Sequence, residues 1–169
     1  AQGVVHRDVK PENIILERAS GRPVLVDLGL ARRDREQFGE LSIDDRSRLS
    51  RTGELRGTPA YMAPEQVAPE RWGEVGPLTD VYALGVTLFV ALTGAQPVEA
   101  DSLPGLFRAI LEDPPRDPRD LAPGVPAPLA RACLRAMARA QGQRHPSAEA
   151  FAAALLGGED ARRPGVLAL

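Results

Sequence analysis

Cysteine, lysine and asparagine occur once each in this chain, as Cys133, Lys10 and Asn13. A lone cysteine has no internal partner, so no disulfide framework holds the fold and a reducing compartment suits it. Long apolar runs are missing as well. The longest, Val81 to Leu92, is interrupted by Thr87 and is too short to span a bilayer. No basic-then-apolar start resembles a secretory signal. Neither sign of charge dominates: 21 Lys plus Arg stand against 23 Asp plus Glu, a net charge of −2. That balance provides no strong field for nucleic acid or an anionic membrane. The expectation is one soluble, cytoplasmic domain of 169 residues, with no nucleic-acid partner and no membrane segment.

Glycine and proline are plentiful, 16 of each, and point to many turns. Short apolar runs at Gly3 to Val5, Ile14 to Leu16 and Val24 to Val26 read as strands joined by loops. The stretch from Arg32 to Arg56 mixes seven arginines with six acids and reads as a solvated loop. Thr79 is placed to cap a helix over 80–92 that Gly94 ends, and its apolar circumference puts it in the centre of a core. A short helix is expected over 103–111, then irregular chain over 112–128, where six of 17 residues are proline. An amphipathic helix follows over 129–140, and a last helix runs from a Ser147 cap to Leu156, stopped by Gly157-Gly158. Cys133 and Trp72 read as packing residues.

The two scarce residue types fall together in His6-Arg7-Asp8-Val9-Lys10-Pro11-Glu12-Asn13. A carboxylate, an ammonium and an amide at spacings of two and three residues are presented from a turn that Pro11 stiffens. Fourteen residues after Asn13 comes Asp27-Leu28-Gly29, where a strand ends at a carboxylate and a glycine lets the chain turn. Phosphoryl transfer needs this inventory: a carboxylate for the attacking hydroxyl, oxygen ligands for Mg²⁺, and a cation for the phosphate.

These residues resemble the eukaryotic-type serine/threonine protein kinases, most closely in their bacterial style. His6 to Asn13 resembles the catalytic loop, Asp27-Leu28-Gly29 the metal-binding triplet, and Ala63-Pro64-Glu65 the end of the activation segment, in the family's order. Gly57-Thr58-Pro59-Ala60-Tyr61-Met62 resembles the loop that receives the substrate. The resemblance implies ATP and Mg²⁺ as cofactors and a protein bearing Ser or Thr as partner. It implies Asp8 as catalytic base, Lys10 on the transferring phosphate, Asn13 and Asp27 as Mg²⁺ ligands, and Thr58 steadying Asp8 and Lys10. Arg7 would take a phosphate from Ser50 or Thr52, Glu65 and Arg144 would form a buried ion pair, and Asp80 would brace the catalytic-loop backbone. His6 reads as a packed histidine rather than a catalyst. Leu28 stands where many members have phenylalanine, and Gln141-Gly142 where Asp-Pro is common.

The family's glycine-rich loop, its ATP-contacting lysine and the glutamate paired with that lysine precede the catalytic loop, and nothing here matches them. The expected fold is therefore α+β and mainly α-helical: a kinase-like C-terminal lobe with short strands around the catalytic loop, the N-terminal lobe absent. Residues 1–158 would form this partial domain, with catalytic loop 6–13, activation segment 27–65, helical subdomain 66–158 and a polar tail at 159–169. Such a lobe is expected to be a poor catalyst alone, and a non-catalytic binding or scaffold module is the alternative. The long activation segment disfavours small-molecule phosphotransfer.

Overall fold

The computed structural model describes residues 5–27 and 58–157, with the side chain of Thr58 outside that description. Two short strands, β1 (Ile14–Leu16) and β2 (Pro23–Leu25), form an antiparallel ribbon in which Ile14 pairs with Leu25, Ile15 with Val24 and Leu16 with Pro23. A single 3-10 turn, Pro11–Asn13, leads into it. A second such turn, Thr58–Tyr61, opens the mostly helical remainder. There α1 (Pro64–Val67) and α2 (Pro69–Trp72) precede the long α3 (Pro77–Thr93), followed by α4 (Leu103–Glu112), α5 (Pro118–Leu121), α6 (Ala127–Ala136) and α7 (Ala148–Leu155).

Helix α3 is the axle of the core. Pro77 sits at its first turn, where a missing N–H costs nothing and the ring's fixed φ suits the helix. Gly94 ends it in the left-handed region, φ 70°, and returns its N–H to Val90 O at 2.8 Å. Tyr82, Val86 and Phe89 on one side pack with Leu103, Leu106 and Ile110 of α4 and with Cys133 and Met137. Val81 on another side packs with Ala132, Ala136 and Phe151. Helices α3 and α6 approach so closely at Gly85 that an added Cβ would lie 2.8 Å from Ala136 Cβ. The Cys133 thiol donates to Gly85 O at 3.4 Å across the same contact.

The elements depart from the sequence expectations in instructive ways. Thr79 is not the cap of α3: the helix starts earlier, at Pro77, and Gly76 occupies the cap position. The Thr79 hydroxyl instead accepts from Gly76 N at 3.1 Å and donates to Glu65 Oε1 at 2.9 Å. The proline-rich stretch contains a helical turn after all, because Pro118 falls at the first helical position behind an Asp117 cap. Helix α6 begins and ends earlier than its periodicity suggests, since Ala138 and Arg139 turn their carbonyls out to Arg144. The second strand is shifted back by one residue, and Val5 is outside any strand. Ser102 and Ser147 cap α4 and α7, their Oγ atoms accepting from Gly105 N and Ala150 N. His145, unremarked in the sequence, is buried beside α6, with Nε2 3.1 Å from Ala132 O and its ring 5.1 Å from Phe151.

Candidate active site

The loop before β1 is built on hydrogen bonds to distant residues. The Asp80 carboxylate, in the first turns of α3, accepts from His6 N and Arg7 N, both at 2.8 Å. These bonds hold Arg7 at φ 67°, a region costly for a residue with a Cβ. The His6 ring is packed: Nδ1 accepts from Asp8 N at 3.3 Å, which leaves Nε2 to donate to Val26 O at 3.0 Å. His6 thus ties the loop to the end of β2, with both ring nitrogens engaged by backbone groups.

Asp8 is buried, 3% exposed, and its two oxygens differ. Oδ2 takes Lys10 Nζ at 2.8 Å and Asn13 Nδ2 at 2.9 Å, while Asn13 Nδ2 also donates to Asp8 O at 2.8 Å. Oδ1 has no hydrogen-bond partner among the described residues. A buried carboxylate oxygen left this way is costly unless something completes it. Because Asn13 donates through nitrogen, its amide oxygen is left as an acceptor. Val26 N bonds Asn13 O at 2.9 Å, bringing the exposed Asp27, also at φ 67°, to the same end of the ribbon. An amide oxygen and a carboxylate are the hard oxygen donors that Mg²⁺ prefers, so the residues present fit that ion. No group of three or more His, Cys, Asp or Glu side chains arranged for a metal occurs among the described residues.

A second constellation joins α1, the start of α3 and the chain after α6. Arg144, 2% exposed, spends all five of its N–H donors: Nη1 on Glu65 Oε1 and Leu78 O, Nη2 on Glu65 Oε2 and Arg139 O, Nε on Ala138 O. Its guanidinium lies 5.0 Å from the centre of the Tyr82 ring. Burial, with Glu65 adding to it and Arg144 opposing, pushes the Tyr82 hydroxyl up to about 12. Gln141 braces the neighbouring turn, donating to Glu74 O at 2.9 Å.

Arg7, Asp8, Lys10, Asn13 and Asp80 are therefore brought together around one loop, and Glu65 with Arg144 around another. Ser50, Thr52 and residues 28–57 lie outside the described residues, as does the Thr58 side chain. Two partners escaped the sequence reading. Thr79 braces Glu65, and Gln66 donates from Nε2 to Arg7 O at 3.0 Å. Both contacts join residues far apart in the chain, and only the position of Gln66 directly after Ala63-Pro64-Glu65 signalled it.

Comparison with known proteins completes the evidence. Residues 1–167 match the family model described as protein kinase domain. Serine/threonine-protein kinase pkn3 of Myxococcus xanthus is 37% identical over 166 residues, covering 95% of this chain and 29% of its own length. Tyrosine-protein kinase MasK of the same species is 38% identical over 154 residues, covering 90% of this chain and 21% of its own. The chain thus spans less than a third of these relatives. Among solved structures, PpkA-294 in its apo form superposes with a TM-score of 0.60 at 28% identity, over 89% of this chain and 46% of that one. The motif order, the fold and these relationships agree: the chain belongs to the protein kinase domain family, with bacterial serine/threonine-protein kinases among its relatives.

Proposed function

We propose that this chain is the C-terminal lobe of an ATP-dependent kinase that phosphorylates serine and threonine hydroxyls of proteins. The observation that carries the reading is the asymmetry of Asp8: Oδ2 is fixed by Lys10 and Asn13, while Oδ1 is buried and unpartnered among the described residues. In this role Oδ1 accepts the proton of the substrate hydroxyl as its oxygen forms the new bond to phosphorus. Lys10, paired with the same carboxylate, would contact the transferring phosphate and offset its charge. ATP supplies the phosphoryl group, ADP leaves, and Mg²⁺ when bound neutralises the phosphate oxygens. Asn13 through its amide oxygen and Asp27 through its carboxylate would hold that ion. Thr58 would steady Asp8 and Lys10, and Arg7 would receive an activating phosphate carried on Ser50 or Thr52.

The reading divides the chain into catalytic loop 6–13, activation segment 27–65 and helical subdomain 66–158. The ribbon supports a missing N-terminal lobe: Ile15 is 54% exposed on one of its faces, and Leu16 (66%) and Leu25 (41%) are exposed on the other. Two short strands with apolar side chains on both faces are not self-sufficient and call for a cover. The need for ATP in this reading and the single free thiol both suit a cytoplasmic location for the lobe. No helix among the described residues is long and apolar enough to cross a membrane.

The test measures radiolabelled phosphate transfer from ATP and Mg²⁺ to serine, threonine and tyrosine peptides. The chain alone and a two-lobed protein containing it are compared, each beside an Asp8→Asn variant. Transfer to serine and threonine by the two-lobed protein alone, lost with Asp8→Asn, is expected. Unchanged transfer in that variant overturns the assignment of Asp8, and equal transfer by the chain alone overturns the missing lobe.

A further inference from the structure

Gln66 uses both ends of its amide. Oε1 accepts from Ala63 N at 3.0 Å, and Nε2 donates to Arg7 O at 3.0 Å across 59 residues. The assignment of the two atoms is fixed by their partners, since an N–H needs an acceptor and a carbonyl needs a donor. The Arg7 carbonyl belongs to the peptide group that carries Asp8 N, and that N–H is held by His6 Nδ1 at 3.3 Å. Both sides of the Arg7–Asp8 peptide are thus bonded, directly after a residue at φ 67° whose own N–H is taken by Asp80. The plane of this peptide sets the direction in which the Asp8 side chain leaves the backbone.

We propose that Gln66 is a positioning residue for Asp8. Its amide is a strut that couples the start of α1, which continues the substrate-side turn Thr58–Tyr61, to the peptide bond carrying the base. The inference rests on the function proposed above and adds to it a route by which seating of the substrate segment sets the aim of Asp8. Glutamine is the residue of this length that offers an acceptor and a donor at once. Glutamate keeps the acceptor for Ala63 N but sets a second oxygen against the Arg7 carbonyl, and methionine offers neither.

The Gln66→Glu variant supplies a readout that a merely structural role would not move. Once protonated, the glutamic acid O–H donates to Arg7 O and restores the strut. In the two-lobed protein at about pH 8, kcat of Gln66→Glu is expected to fall about tenfold with the peptide KM within about twofold of the unaltered protein. The ratio of its kcat to that of the unaltered protein rises as pH is lowered through the carboxylic range, while Gln66→Met shows a loss that does not vary with pH. A flat ratio for Gln66→Glu, or a change confined to KM, overturns the proposal. Amide hydrogen exchange of Arg7 and Asp8 in the 169-residue chain decides the strut without catalysis. Faster exchange in Gln66→Glu is expected, and unchanged exchange overturns the strut. Absence of transfer by the unaltered two-lobed protein would instead sink the proposed function.

Discussion

Arg144 meets Glu65 through two parallel hydrogen bonds of 2.7 Å, although 79 residues separate them and neither side chain touches solvent. Desolvating two charges is expensive, and the pair is tolerable because Thr79, Leu78, Ala138 and Arg139 complete the remaining bonds. Removing one partner strands the other. Arg144→Ala should therefore cost about 3–5 kcal/mol in urea unfolding, and a joint apolar replacement of Glu65 and Arg144 should recover a large part of it. A single Arg144→Ala variant as stable as the parent would show that the pair is not a cohesive element.

Close approach of α3 and α6 makes a different demand. A Cβ at residue 85 would lie 2.8 Å from Ala136 Cβ and 2.9 Å from Met137 Cγ. Gly85→Ala should lose about 1–3 kcal/mol through overpacking, in spite of alanine's better helix propensity. A higher urea midpoint for Gly85→Ala would refute the contact.

Alkaline conditions should weaken the core. Burial raises the Cys133 thiol from 9.0 to about 12 and the Tyr82 hydroxyl from 10.0 to about 12. A group whose folded pKa is raised gives its full contribution below the unfolded value and loses it as pH rises toward the folded value. The window is therefore pH 9 to 12 for Cys133 and 10 to 12 for Tyr82. Urea midpoints across this range should fall, and less steeply in Cys133→Ala. Identical slopes in the two proteins would exclude the thiol.

Regulation through Arg7 is open to direct test. A phosphate on Ser50 or Thr52 adds nearly two negative charges and three acceptors, which a guanidinium pairs well. Mass spectrometry of the two-lobed protein with ATP and Mg²⁺ should find phosphate on one of these residues, with activity falling in a Ser50→Ala, Thr52→Ala double variant. Full activity in that variant counts against the role of Arg7.

Local signals were readable where the chain's own neighbours decide the outcome. Ser147 and Gly94 act at the helix ends where the sequence reading put them, because capping is settled within one turn. The Asp8, Lys10 and Asn13 cluster was legible for the same reason, since its spacings fit one turn. Thr79 misled because a hydroxyl before an apolar run is also the shape of a residue reaching across to Glu65. Gln66 was passed over because the Arg7 carbonyl it serves lies 59 positions away. Such contacts leave no periodicity, and only three-dimensional packing reveals them.

Lysine's scarcity takes on a chemical meaning once Lys10 is seen 2.8 Å from Asp8 with its side chain 14% exposed. Every other basic side chain except the histidines is arginine. Reagents and enzymes that acylate or conjugate side-chain amines therefore have one address on this polypeptide, and it is the carboxylate's own neighbour. Neutralising that amine would strip Asp8 of its cation. The fold already shields most of this amine, so a ligand seated over the site would be read as a further fall in its acylation relative to the unliganded chain.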